Sequence, residues 1–171
     1  MSPLEFVAMG YSYPRPGSAE RLAAALATQK RGEVARHMRH LVDAVTPLSL
    51  GEWEELHTAT LDLSAPFVPY VGHVEWGENY RRGAFMAELQ AAMNAERIDL
   101  DGELPDHIAP ILRYLSVATT PLGDLIDILP GVVAEMERTL RSAAPDNPYC
   151  HLLAATAACT AERPVTIGGR R

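Results

Sequence analysis

The chain has 171 residues, 47% of them apolar and 6% aromatic, and a formal net charge of −7. That length accommodates one domain with a substantial apolar core, without disulfides or metals as staples. Scarce aromatics and abundant alanine favour helix over strand, and the acidity disfavours phosphate-built partners such as nucleic acid and anionic membranes. The expected fold is all-α, a compact single-domain helical bundle over residues 1–161, with residues 162–171 as a mobile C-terminal tail.

In chain order, Leu4 to about Ser12 forms a short helix that stops ahead of Tyr13-Pro14-Arg15-Pro16-Gly17, because residues before proline are pushed out of helical geometry. Ser18 is expected to cap the next segment, which runs to about Val45 as two helices or as one bent near Gly32. Its apolar stripe is Leu22, Leu26, Val34, Met38, Leu41 and Val45. Ser49-Leu50-Gly51-Glu52 has capping-box spacing and opens a helix that carries Trp53, Leu56, Ala59, Thr60 and Leu63 inward. From Ser64 to Asn79, prolines, glycines and aromatics follow no clean period, which reads as an ordered loop packed on the core.

Tyr80 to Glu96 is helical, with Tyr80, Phe85, Met86, Leu89 and Met93 expected inward. Pro105 suits the first turn of the following helix, where Asp106 complements the positive end of the dipole and Ile108, Ile111, Leu112 and Leu115 form the buried stripe. Thr120-Pro121 repeats that start signal before Leu125, Leu129, Val132, Val133, Met136 and Leu140, with a kink expected at Pro130. Pro145 to Pro148 separates this helix from the last one, Tyr149 to about Ala161.

Charge is unevenly distributed. Arg15 to Arg39 carries a local balance of +4, whereas Leu41 to Glu78 holds seven acids and no Lys or Arg. A second acidic cluster follows at Asp99, Asp101, Glu103 and Asp106. Such a surface either serves solubility or attracts basic peptides. No apolar run approaches the length of a membrane span, and the N-terminus lacks the basic start of a signal peptide, so a cytoplasmic protein is expected. Cys150 and Cys159 lie about 13 Å apart along one helix, too far to bridge, and are expected to be buried thiols.

The chain contains no glycine-rich phosphate loop, no nucleophile elbow, no His-Glu-x-x-His and no close Cys pair, so a non-enzyme is expected. His73 and His107 with Glu75, Glu78 or Asp106 match no metal-ligand spacing, and no metal site is expected. Pro105, Asp106 and His107 have a purely structural reading: a proline turn, an acid at a helix start and a histidine making a capping hydrogen bond.

Two segments nevertheless carry a shared pattern. The first holds Tyr70, His73, Gly77-Glu78 and Arg82-Gly83, and the second is Glu103-Leu104-Pro105-Asp106-His107. Together with Asp62-Leu63, Pro69, Met86, Leu89, Asn147-Pro148-Tyr149 and Leu152-Leu153, they resemble the TorD-like and nitrate reductase delta-subunit family. The resemblance implies an assembly chaperone that binds the N-terminal segment of a molybdoenzyme catalytic subunit while molybdenum cofactor is inserted. It implies a partner surface of Phe67, Tyr70, His73, Trp76, Glu78, Glu103, Asp106 and His107, with the aromatics as groove, Asp106 as acceptor and His107 as a hydrogen-bonding group. Arg81 and Arg82 either pair with local acids or make transient contact with bis(molybdopterin guanine dinucleotide). The chain is short for the nitrate-reductase branch, which leaves the client open. A metal-dependent helical enzyme and a helical adaptor with an unrelated partner are the rival readings.

Overall fold

A computed structural model describes residues 1–62 and 66–161; the expected C-terminal tail, Leu63 and Ser64 lie outside them. Among the described residues there are nine helices and no strand. They are α1 (Pro3–Gly10), α2 (Ser18–Thr28), α3 (Glu33–Val45), α4 (Leu50–Leu61), α5 (Val71–Trp76), α6 (Tyr80–Ala95), α7 (Ile108–Val117), α8 (Gly123–Ala143) and α9 (Tyr149–Ala161). The all-α expectation is therefore met. Among the described residues no helix is long and apolar enough to cross a membrane.

Local signals set several helix starts. In α1 and α4 the N-cap serines, Ser2 and Ser49, accept the N3 backbone N–H, and the N3 glutamates Glu5 and Glu52 return the bond to the cap N–H. The region expected as one bent helix or two is two, with Gly32 as the N-cap of α3. Ser18 is not the cap of α2. Gly17 takes that place in the left-handed region at φ 80°, while the Ser18 hydroxyl accepts from the Arg15 N–H. α8 continues through Pro130, whose ring lies on the exposed side.

Burial follows the periodic stripes. Leu22, Leu26, Val34, Met38, Leu41 and Val45, and the six expected positions of α8, all enter one hydrophobic core. α9 lies at its centre, packed against α1, α3 and α8, while α1 also packs on α7 and α5 on α8. Both thiols are buried and unbridged.

Three inward assignments fail where the stripe meets the edge of the bundle. Tyr80 is 85% exposed at the first position of α6, Ala59 is exposed on α4, and Met86 is only half-buried. The inward face of α4 is instead Trp53, His57, Thr60 and Leu61.

Two further corrections concern the segments that carry the resemblance. The stretch expected as a loop contains helix α5. Six residues are too few to display a helical period, and α5 is held by its surroundings. The Val71 N–H donates to the Asp106 carbonyl at 2.7 Å, and Gly77, at φ 64°, ends the helix. Helix α7 starts at Ile108, not at Pro105, with His107 as its N-cap.

Candidate functional site

The two segments meet. Tyr70 and His107 form an isolated antiparallel bridge, with the Val71 N–H donating to the Asp106 carbonyl and the Ile108 N–H donating to the Pro69 carbonyl at 2.9 Å. Side chains reinforce this backbone clasp. The Tyr70 and His107 rings pack edge to face at 5.2 Å, and the Tyr70 hydroxyl donates to Glu103 Oε2 at 3.0 Å. Burial and the nearby Glu103 carboxylate push the Tyr70 hydroxyl up to about 12.

Under the clasp lies a buried ion pair. Asp106 is 0% exposed, and Arg82 Nε donates to its Oδ2 at 2.8 Å, with Nη2 near Oδ1 at 3.4 Å. The remaining nitrogen, Nη1, donates to Glu78 Oε1 at 3.0 Å, and His73 Nδ1 approaches the same oxygen at 3.0 Å. Hydrogen bonding to Asp106 raises the Arg82 guanidinium above its ordinary range. Gly72 is required here by close approach, since a Cβ at that position would stand 2.9 Å from Asp106 Oδ2.

These contacts change the role expected for Asp106. Its carboxylate faces the interior and is held by Arg82, so it organises the turn and offers no acceptor at the surface. His107 likewise makes the capping bond of the structural reading, its Nδ1 accepting the Ala109 N–H at 3.2 Å. Arg82 makes the local ion pairs, through Nε and Nη2 to the buried Asp106 and through Nη1 to the exposed Glu78. Arg81 is exposed and has no ion-pair partner among the described residues.

The aromatics divide. Phe67 is buried in the core, Trp76 is half-buried with its ring edge-on to Phe85 at 5.1 Å, and Tyr70 is half-buried. Among the described residues no group of three or more His, Cys, Asp or Glu side chains is arranged to hold a metal ion.

Tyr70, Glu103 and His107 wall an open hollow of about 170 Å³. Its other sides come from Tyr13, His57, Asp62 and Arg113. Asp101 stands at the rim within 3.8 Å of both Arg15 and Arg113. Asp62 and Glu103 have no cationic partner among the described residues, so the rim keeps an excess of negative charge. A second hollow of about 220 Å³ adjoins the first across Ser12, Tyr13, Arg15 and Asp101. Phe67, His73, Trp76, Glu78 and Asp106 are not among the lining of either hollow.

His57, Tyr13 and Arg113 line the hollow without having been singled out in the sequence. His57 is buried at 7% exposure, and its Nδ1 lies 3.0 Å from the Tyr149 hydroxyl, which also accepts from Trp53 Nε1 at 3.2 Å. Its spacing of four from Trp53 was the one available signal of inward placement. Burial, joined by the neighbouring His107, holds His57 down to about 4; burial, joined by Arg113, holds His107 down to about 4.

Tyr149→Phe tests the buried network. It strands the Trp53 N–H and removes the partner of His57, and is expected to lower unfolding free energy by roughly 2–4 kcal/mol, taking 1–3 kcal/mol for a buried group left unpaired. Urea denaturation measures this; a loss below roughly 0.5 kcal/mol would show that these bonds contribute little.

The fold and clasp define a protein that is all-helical over the described residues, with an aromatic, negatively rimmed hollow beside the His107-capped start of α7. No protein-family model matches the chain, and no curated protein matches it.

Proposed function

We propose that this protein is an assembly chaperone that binds the N-terminal segment of a molybdoenzyme catalytic subunit at the Tyr70–Glu103–His107 hollow. The observation that carries the reading is the clasp itself. Tyr70 and Glu103, 33 residues apart, belong to the two segments of the TorD-like pattern, and those segments meet to wall one hollow. Aromatic walls suit the apolar side chains of an exposed peptide, and uncompensated acids suit its basic ones. The mechanism is differential binding: the unfinished client exposes the segment and is held, and burial of the segment on maturation releases it. No chemical turnover is needed.

Calorimetric titration with N-terminal peptides of molybdoenzyme catalytic subunits from the same genome tests the proposal. Glu103→Gln keeps an acceptor for the Tyr70 hydroxyl but removes the charge, and is expected to weaken binding about tenfold, roughly 1.4 kcal/mol, with the circular dichroism spectrum unchanged. Equal affinity for unrelated basic peptides would replace this reading by that of a general helical adaptor.

A further inference from the structure

The hollow holds two imidazoles whose proton positions follow from their partners. His107 Nδ1 accepts the Ala109 backbone N–H, so the neutral ring carries its proton on Nε2. For His57 the argument passes through Tyr149. The indole N–H of Trp53 is a donor only and donates to the Tyr149 oxygen, and among the described residues His57 Nδ1 is the acceptor in reach of the hydroxyl proton, which assigns that proton to the Tyr149–His57 bond. His57 therefore also carries its proton on Nε2.

Among the described residues neither Nε2 has a hydrogen-bond partner, although His57 is 7% and His107 4% exposed and both line the hollow. A buried N–H left unpaired costs free energy that an acceptor supplied by a ligand recovers. Asp62, Asp101 and Glu103 share this lining with Arg15 and Arg113, both within 3.8 Å of Asp101, and the one negative charge left over favours a neutral carbonyl oxygen over an anionic acceptor. Asp62 and Glu103, which have no cationic partner among the described residues, and the exposed ring of Tyr13 suit a guanidinium.

We propose that His57 and His107 act together as a pair of Nε2–H donors that grip main-chain carbonyl oxygens of an extended, arginine-bearing peptide in this hollow. The proposal deepens the reading above and rests on it for the occupant being a peptide. Trp53 and Tyr149 are positioning residues, because they set the tautomer of His57 from inside the core.

Long-range proton–nitrogen correlation spectra of the two imidazoles test this without substitution. In the free protein at neutral pH both rings are expected as Nε2–H tautomers. A short leucine- and arginine-bearing peptide with capped ends should move both Nε2–H resonances, and the same peptide with glutamate in place of arginine should move neither. His57→Phe should weaken binding of the arginine peptide roughly tenfold, whereas His57→Gln, which restores an N–H donor, should recover part of the loss. An Nδ1–H tautomer on either ring overturns the proposal, as does the absence of any peptide that moves both resonances. The two readings fail separately. If the leucine–arginine peptide engages both rings but the molybdoenzyme segment does not bind, the chaperone assignment falls and the donor pair stands. If the molybdoenzyme segment binds and both Nε2–H resonances stay in place, the donor pair falls and the chaperone assignment stands.

Discussion

Replacing Arg82 with methionine is expected to lower unfolding free energy by about 3–5 kcal/mol, the usual cost of removing one partner from a buried ion pair. Asp106 is fully buried, so the carboxylate left behind cannot recover its charge solvation from water. Methionine retains an apolar stem of similar reach, which makes the loss report on charge more than on packing. Small domains are stable by only about 5–15 kcal/mol, so the variant should melt well below the parent in temperature and in urea. The added substitution Asp106→Asn removes the stranded charge and should restore most of the loss. A double variant no more stable than Arg82→Met would show that the ion pair is not what holds the clasp. The same reasoning makes Asp106→Ala a poor probe of partner binding, because it strands Arg82 and disturbs the turn before any ligand arrives.

The second large effect is acid destabilisation set by His57 and His107. Both are held down to about 4 in the folded protein, against an ordinary value of 6.5. Between those values the unfolded chain binds the extra protons, so stability is full above about pH 6.5, falls as the pH drops, and levels off below about pH 4. At 1.36 kcal/mol per unit, each histidine withdraws roughly 3 kcal/mol by pH 4. Together they approach the whole stability of a small domain.

His37 and His151 act in the same direction. Their Nδ1 atoms lie 3.3 Å apart between α3 and α9, His40 stacks on His151 with ring centroids 4.4 Å apart, and burial lowers both groups. Unfolding free energy measured by urea between pH 7 and pH 4 should fall steeply. In a His57→Gln, His107→Asn variant the slope should be clearly reduced, since asparagine is itself a favourable N-cap at position 107. An unchanged slope would place the acid sensitivity elsewhere.

Much of the bundle was legible as pattern. The stripe of α8, from Leu125 to Leu140, and that of α3 repeat often enough that helical period alone places every expected side chain in the core. Capping at Ser49 and Glu52 was equally local, since donor and acceptor lie within one turn. Tyr80 shows where such reading stops. Its helical position is compatible with an inward face, but α6 reaches the edge of the bundle there and nothing packs over the ring.

The clasp was legible only as two motifs. By itself the sequence determined that helices would form, which stripes would be buried, and that acids would gather between Leu41 and Glu78, because these depend on interactions within a few residues or on composition. Tertiary structure alone decided that Asp106 turns inward onto Arg82, that His57 from α4 joins His107 at the head of α7, and that Val71–Trp76 is helical. Those outcomes depend on hydrogen bonds and desolvation between residues 24 to 50 positions apart, and on neighbours that no local period encodes.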